Sequence, residues 1–235
     1  MKVLGVTLAR GGSKGVVGKH TRDLCGKPVL EWTIEEARKV AGLTEYIVSS
    51  DDDDILNLAH ACGAWTIVRP AELALDTTPT LPALQHAVAY WEKYHGQADY
   101  VVEIRATSPL KTATDIEEMI AVLVATHADS VIGVCRLEDA HPARIKQIVG
   151  GYLRDWPGTS EPVSGRRQDC LPPAFIRNGT VYAFRRDAVM GEHGRLFGHE
   201  RSMGYIMPAE RSVNIDTELD FRLCQLLMAE RLERA

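Results

Sequence analysis

Short apolar runs and helical patterns alternate along the first 135 residues of the chain. The apolar runs have the length and the β-branched content of buried strands, and they cover residues 3–8, 46–49, 65–68, 100–104 and 130–134. Alternation of strand and helix predicts a parallel sheet, because parallel neighbours are joined by crossovers that usually contain a helix. We therefore expect an α/β fold with helices on both faces of the sheet.

Apolar residues between these runs recur at the spacing of a helix with one buried face. The first such helix begins near Pro28, a residue favoured in the first turn, and its inward positions are Leu30, Ile34 and Ala37. Further helices are marked by Leu84, Val88 and Trp91, by Ile116, Ile120 and Leu123, and by Leu219, Leu223 and Leu226.

The alternation stops at residues 138–174, which contain five prolines and no helical period. Irregular segments of this length inside a compact domain are usually functional or belong to an inserted subdomain. Apolar runs at 181–184 and 205–207 predict that strands resume after it. The chain of 235 residues then fits one domain, 1–235, with an insertion at 138–174.

Composition narrows the class of protein further. A net charge of −5 argues against a general nucleic-acid binder. No stretch approaches the roughly 18 consecutive apolar residues that a membrane span needs, and the N-terminus lacks the pattern of a signal peptide. The five cysteines are scattered and form no C-x-x-C pair, as in proteins that keep their thiols reduced. We expect a cytoplasmic protein that binds neither nucleic acid nor a membrane.

A glycine-rich loop, ARGGSKGVVGK at residues 9–19, directly follows the first predicted strand. Glycines allow positive φ and bring backbone N–H groups close to a ligand, and Arg10, Lys14 and Lys19 add three cations. The loop matches neither the P-loop nor the dinucleotide-binding pattern. It predicts a site for an anion with several charges, such as a triphosphate. The alternative is a solvated turn with surface lysines.

Two more loops follow predicted strands, at residues 69–80 and 105–110, and Asp216 lies at another junction between strand and helix. Ligands of open α/β sheets bind at the carboxyl ends of the strands, so these segments are expected to converge on the glycine-rich loop. A cationic loop and a carboxylate that holds Mg²⁺ are the minimum equipment for nucleotidyl transfer, which depends on positioning and charge neutralisation. Without the cationic loop, Asp216 is explained equally well as an acidic residue at the start of a helix, where the helix dipole favours a negative charge.

Two acidic clusters precede predicted helices. Asp51 to Asp54 form a run of acids that fits either a metal site or an N-cap followed by first-turn carboxylates, which the helix dipole favours. We favour the N-cap. Thr217 and Asp220 have the spacing of a capping box before the last helix.

Five motifs occur in the order in which CMP-sialic acid synthetases carry them: LARGGSKG with a following GK, RPAELALDT, TSPLKTATDI, RQD with AFIRNGTVYAF, and NIDTELDF. Over essentially its whole length the chain resembles this family, the acylneuraminate cytidylyltransferases, which includes synthetases for Kdo, legionaminate and pseudaminate. The resemblance implies a Rossmann-like, mostly parallel sheet flanked by helices, of the nucleotide-diphospho-sugar transferase type, with 138–174 as an inserted dimerisation subdomain. It also implies a Mg²⁺-dependent homodimer that transfers CMP from CTP to the anomeric hydroxyl of an α-keto-acid sugar and releases pyrophosphate.

The same resemblance implies roles for individual residues. The implied catalytic residues are Arg10, Lys19 and Asp216, with Lys19 stabilising charge that develops at the α-phosphate. The implied nucleotide-binding residues are Arg10, Gly11, Gly12, Ser13, Lys14, Lys19, Arg69 and Thr80. The implied sugar-binding residues are Arg105, Thr107, Ser108, Arg144, Arg167, Asn178 and Tyr182. Of these, Arg144 and Arg167 suit a carboxylate. Mg²⁺ is expected on Asp216, with Asn214 beside it.

Three positions depart from the family's pattern. Asn214 replaces the first acid of the usual Asp-x-Asp pair, so that a metal ion would meet a neutral oxygen there. Arg105 stands where sialic acid enzymes commonly have a glutamine, which changes the hydrogen bonds offered to the sugar. His20 replaces an asparagine after Lys19, and we expect it to be a solvent-exposed residue at the start of a helix.

Two other functions stay open from the sequence. A nucleotidyltransferase of the same fold that takes another nucleotide or a sugar phosphate would use Arg105 as an additional phosphate ligand. A non-catalytic protein that binds nucleotide or sugar would fit the absence of an acid at Asn214. No general base is evident, and the other histidines have no metal-binding spacing.

Overall fold

The computed structural model describes residues 1–12 and 15–234 and is organised around a sheet of seven strands. The strands of the chain are β1 (Val3–Leu8), β2 (Asp23–Leu24), β3 (Lys27–Pro28), β4 (Glu45–Ser50), β5 (Trp65–Val68), β6 (Tyr100–Ile104), β7 (Ser130–Arg136), β8 (Lys146–Val149), β9 (Tyr152–Asp155), β10 (Phe175–Arg185) and β11 (Ser202–Ile206). The order across the main sheet is β11–β7–β10–β6–β1–β4–β5, and β10 alone runs antiparallel to its neighbours. The predicted mostly parallel α/β sheet is confirmed.

Helices cover both faces of this sheet. They are α1 (Val29–Lys39), α2 (Asp53–Ala61), α3 (Thr80–His95), α4 (Ala113–Thr126), α5 (Arg186–Met190) and α6 (Glu218–Glu233). One apolar core lies between the sheet and α1, α2 and α4, and a second lies between the sheet and α3 and α5. The predicted inward residues Leu30, Ile34 and Ala37 are all buried, as their spacing on one helix face requires.

Both predicted helix starts have side-chain caps. The Asp52 carboxylate accepts hydrogen bonds from the backbone N–H groups of Asp54 and Ile55 at the start of α2, which confirms the N-cap interpretation of the acidic run. Thr217 and Asp220 form the predicted capping box of α6. A cap of this kind stabilises a helix by about 1 kcal/mol.

Helix α6 buries a different face from the one that its leucines mark. Leu219, Leu223 and Leu226 are 75%, 43% and 59% exposed, whereas Phe221 and Cys224 are buried. The buried side packs into a small core formed with the segment between β1 and α1, not onto the main sheet. The helix therefore carries two apolar stripes, and its packing partner decides which one is covered.

Residues 138–174, which are predicted to form an insertion, contain a hairpin. Strands β8 and β9 pair with each other, apart from the main sheet. Between them Gly150 and Gly151 have φ of 59° and 83°, as both central residues of a type I′ turn require. The hairpin exposes large apolar side chains, including Ile148, Tyr152 and Leu153.

All five cysteines have free thiols. None of the helices within the described ranges is long and apolar enough to span a bilayer.

Candidate active site

The segments after three parallel strands meet in a cavity of about 400 Å³. The glycine-rich loop contributes Arg10, Gly15, Lys19 and His20, the loop after β5 contributes Arg69, Asp76, Thr78 and Thr80, and the loop after β6 contributes Arg105, Ala106 and Thr107. Asp216, just before α6, completes the wall. The predicted convergence of these segments is confirmed, and it follows from the shared carboxyl edge of parallel strands.

Lys19 and Asp216 lie side by side in this wall although 197 positions separate them in the chain. The Lys19 ammonium donates to the Ile215 carbonyl oxygen at 3.0 Å and lies 3.4 Å from the Asp216 carboxylate. Burial lowers the pKa of Lys19, and Asp216 opposes that shift. The Asp216 side chain is 67% exposed and so remains accessible to a ligand. Ser13 and Lys14, expected at the same triphosphate, lie outside the described residues.

Two arginines add positive charge on the side of β1 and β5. Arg10 pairs with Asp76 from the loop after β5. Arg69 is buried and donates to the Ser49 carbonyl oxygen at 2.6 Å and to the Ser49 hydroxyl at 3.3 Å. Burial lowers the pKa of Arg69, but a guanidinium with two acceptors stays charged at neutral pH. The cavity thus offers several cations to an anionic ligand.

Close packing explains two glycines of the loop. A Cβ atom at Gly15 would lie 2.1 Å from the backbone oxygen of Asp216, and one at Gly11 would lie 2.3 Å from the Asp52 carboxylate. Neither distance is possible for a side chain. At Gly12, by contrast, a Cβ would meet open space. The glycine-rich loop is therefore packed tightly against the segments that precede α2 and α6.

Asn214 holds its neighbours through both ends of its amide. Its Oδ1 accepts hydrogen bonds from the Thr107 hydroxyl at 2.5 Å and the Ser108 hydroxyl at 3.2 Å, and its Nδ2 donates to the Asp216 carboxylate at 2.5 Å. The single proton of the Ser108 hydroxyl is shared with the Gly179 carbonyl oxygen at 3.0 Å, so Thr107 is the main donor to the amide oxygen. Within the described ranges there is no group of three or more acidic, histidine or cysteine side chains arranged for a metal ion. In this geometry Asn214 orients Asp216 instead of presenting a free oxygen of its own.

The structure does not bring together all the residues that the resemblance assigns to the sugar. Arg105 and Thr107 line the 400 Å³ cavity. Arg144 forms ion pairs with Asp139 and Glu161, and Arg167 lines a separate cavity of about 230 Å³. Asn178 is buried and hydrogen-bonded around the turn within β10. The two arginines that suit a carboxylate therefore lie outside the lining of the cavity that contains Arg10, Lys19 and Arg69.

His20 differs from the expectation of a solvent-exposed residue. It is 5% exposed and lines the cavity, because its carbonyl accepts a hydrogen bond from the Leu30 N–H at 2.9 Å and fixes the segment against the start of α1. Burial lowers the pKa of His20 to about 3, and the neighbouring cations, Lys19 and Arg69 first among them, add to the shift. The imidazole is consequently neutral across the physiological range, with a buried Nδ1 that has no protein partner among the described residues.

Glu103 is the functional candidate that the sequence pattern hides, since it occurs within the apolar run of β6. It lines the cavity and is 1% exposed. In the antiparallel pairing of β6 with β10 it lies directly opposite Tyr182. Burial raises the pKa of Tyr182, an effect that Arg105 opposes. The only feature of the sequence that indicates a functional role for Glu103 is the presence of an acidic residue in an otherwise apolar strand.

Comparisons with known proteins show which family this sequence resembles. The sequence model of a family described as cytidylyltransferase matches residues 4–147. An N-acylneuraminate cytidylyltransferase A of Danio rerio is 29% identical over 219 residues, covering 93% of this chain and 49% of the relative. A post-translational flagellin modification protein B of Campylobacter coli is 24% identical over 232 residues, covering 98% and 96%. The chain thus spans about half the length of the N-acylneuraminate cytidylyltransferases it matches.

Solved structures share the fold. A CMP:2-keto-3-deoxy-manno-octonic acid synthetase complexed with CTP superposes with a TM-score of 0.73 at 20% identity, covering 98% of this chain and all of that one. A 4-diphosphocytidyl-2C-methyl-D-erythritol synthase from Anaerococcus prevotii gives a TM-score of 0.62 at 14% identity, covering 97% and 96%. These likenesses confirm the Rossmann-like fold of the nucleotide-diphospho-sugar transferase type.

Proposed function

The chain belongs to the cytidylyltransferase family, and from that premise we propose that it transfers CMP from CTP to the anomeric hydroxyl of an α-keto-acid sugar. The sugar is a sialic acid or a related nonulosonate, and pyrophosphate leaves. One observation carries the proposal: Lys19 lies 3.4 Å from an accessible Asp216 in a cavity that Arg10 and Arg69 also line. The names of relatives that act on N-acylneuraminate support the class of sugar.

In the proposed reaction a sugar oxygen forms a bond to the α-phosphorus of CTP while the bond to the leaving pyrophosphate breaks. Negative charge grows on the phosphate oxygens, so fixed cations lower the barrier. In this proposal Lys19 stabilises the α-phosphate, and Arg10 holds the remaining phosphates. The proton of the sugar hydroxyl leaves to solvent, since no side chain is assigned as general base.

Mg²⁺ is the proposed cofactor. A divalent cation with one or two carboxylate ligands and phosphate oxygens neutralises a triphosphate. Asp216 fits that role, because its carboxylate is accessible and Asn214 fixes its orientation. Mg²⁺ requires little more from the protein than this, since water and the nucleotide complete its octahedron.

We expect Asn214→Asp to tighten Mg²⁺ binding in the presence of CTP, because a second carboxylate adds charge beside Asp216. Without metal the same variant is expected to lower the free energy of unfolding, since the amide donor to Asp216 is replaced by a like charge. Calorimetric Mg²⁺ titration and urea unfolding measure the two effects. Asn57→Asp, at an exposed position of α2, is the matched control. Unchanged metal affinity in Asn214→Asp would remove position 214 from the vicinity of the ion.

Pyrophosphate release across CTP, UTP, GTP and ATP, each with a panel of sugars, tests the proposed function. CTP with an α-keto-acid sugar is expected to give a CMP-sugar and pyrophosphate. Turnover with GTP and a hexose phosphate but not with CTP would replace the proposal by a related nucleotidyltransferase. Binding of CTP with no product for any sugar would indicate a non-catalytic protein.

The insertion at 138–174 is proposed as a dimerisation subdomain of the single domain 1–235, and the active form as a homodimer. The exposed apolar side chains of the β8–β9 hairpin support this, because a surface of that kind is typical of an interface. A partner subunit would also supply the carboxylate-binding arginines that one chain leaves apart from the cavity. Sedimentation of the chain only as a 26.0 kDa monomer would contradict it. The free thiols support a cytoplasmic location.

A further inference from the structure

The floor of the 400 Å³ cavity contains a buried carboxylate with only one oxygen hydrogen-bonded to a described residue. Glu103 lies at the end of β6, between Val6 of β1 and Tyr182 of β10. Its Oε1 accepts one long hydrogen bond, at 3.3 Å, from the Arg105 guanidinium. Its Oε2 is buried and receives no hydrogen bond from any residue in the described ranges. A buried carboxylate oxygen without a donor is costly for the folded state.

The charges around Glu103 limit what kind of group satisfies it. Phosphates and carboxylates of the substrates are repelled by Glu103, and the cavity supplies Arg10, Lys19 and Arg69 for them elsewhere. Burial raises the pKa of Glu103, and the neighbouring cations Arg105 and Arg69 oppose that rise. The Arg105 guanidinium occupies Oε1, so the carboxylate paired with it offers Oε2 as a hydrogen-bond acceptor. The complementary ligand group is therefore a neutral donor.

From this geometry we propose that Glu103 is a specificity-determining residue, whose free oxygen accepts a hydrogen bond from a hydroxyl or amine of a bound substrate. The inference rests on the proposed function and deepens it, because it names the chemistry that the cavity floor recognises. Through its other oxygen, Glu103 also fixes Arg105, whose side chain is 35% exposed and lines the same cavity. One carboxylate thus has two roles: its Oε2 accepts a hydrogen bond from the substrate, and its Oε1 holds Arg105 in place.

Glu103→Gln tests the proposal with little change in size. Because the Arg105 guanidinium is a donor and holds one oxygen of residue 103, the glutamine amide turns its oxygen to Arg105 and its NH2 group to the substrate donor. Affinity for the recognised ligand is therefore expected to fall about tenfold or more. Calorimetry gives the dissociation constants of CTP and 2′-deoxy-CTP without sugar, and steady-state kinetics at saturating CTP give KM for the sugar. Glu36→Gln is the matched control, because Glu36 is a buried, ion-paired acid that does not line the cavity.

Three results support the proposal and identify the donor. Weaker binding of CTP but not of 2′-deoxy-CTP points to the ribose 2′-hydroxyl, and weaker binding of both points to another donor of the nucleotide. Unchanged nucleotide binding with a raised sugar KM points to the sugar. If Glu103→Gln does not fold, Glu103→Asp is the second variant. It retains the charge but has a shorter side chain, so its carboxylate lies farther from the substrate, and a smaller loss of the same affinity is expected.

The proposal is overturned if a folded Glu103→Gln protein keeps all three parameters within twofold of the wild type, or if Glu36→Gln loses as much affinity. In either case Glu103 only supports the fold. Failure of the proposed function is distinguishable, because then the wild-type chain itself gives no CMP-sugar. That result overturns both proposals, whereas wild-type turnover with an unaffected Glu103→Gln variant overturns this one alone.

Discussion

Replacement of Lys19 by alanine is expected to lower kcat for CMP transfer by on the order of 10²-fold or more. The ammonium is held by the Ile215 carbonyl and lies beside Asp216, so it reaches the developing charge without having to reorganise. Removal of one such stabiliser typically costs about 3–4 kcal/mol of transition-state stabilisation. Asp216 would in addition lose its cationic neighbour.

Steady-state kinetics at saturating CTP and sugar measure this effect. Lys39→Ala is the control, since Lys39 lies on α1 with a 60% exposed side chain; its kcat is expected to match that of the wild type. The fall should be larger in kcat than in CTP affinity, because the interaction strengthens as charge develops. An unchanged kcat in a folded Lys19→Ala protein would remove Lys19 from the chemistry.

The second large effect is expected for stability, at Lys111. This lysine is completely buried, and its ammonium donates to the Thr33 hydroxyl at 2.8 Å, the Arg105 carbonyl at 2.7 Å and the Ser108 carbonyl at 2.8 Å. Burial lowers the pKa of Lys111 to about 7, and the nearby acid Glu36 opposes the shift. The three hydrogen bonds fix the loop after β6, which forms one wall of the cavity.

Lys111→Met keeps the length of the side chain but removes the charged donor that three oxygen acceptors share. We expect it to lower the free energy of unfolding by about 3–5 kcal/mol, measured by urea denaturation. Lys93→Met, at an exposed position of α3, should change it by less than about 0.5 kcal/mol. CTP affinity is expected to fall as well, because the Arg105–Ser108 loop loses its anchor. Equal urea midpoints for the two variants would contradict this role.

Local patterns in the sequence predict the framework of the fold well. The runs 65–68 and 100–104 have the bounds found for β5 and β6. Strand β6 lies inside the sheet and is almost entirely buried, as a continuous apolar run predicts. Strand β5 has the same kind of sequence, but it is an edge strand that leaves Trp65 and Val68 exposed. The meeting of Arg10, Arg69 and Arg105 then follows from parallel pairing alone. The turn at Gly150 and Gly151 is equally local, and its double glycine is a hairpin signal within an otherwise irregular segment.

Burial of single polar residues is not predictable in the same way, because it depends on segments distant in the chain. His20 is covered by elements that converge on it from several loops, although its neighbours in sequence are polar. The face that α6 buries is likewise chosen by its packing partner and not by its own leucines. The role of Glu103 can be considered only when its position opposite Tyr182 and its place in the cavity lining are known.

The fit of Gly15 against the backbone of Asp216 has a consequence for folding. The contact joins two residues that are far apart in the chain, so its formation closes a long loop and costs chain entropy. Contacts of this kind form late and slow the folding of a domain. A chain truncated before residue 216 lacks both the carboxylate and the backbone against which Gly15 rests, and we expect its glycine-rich loop to lose this support.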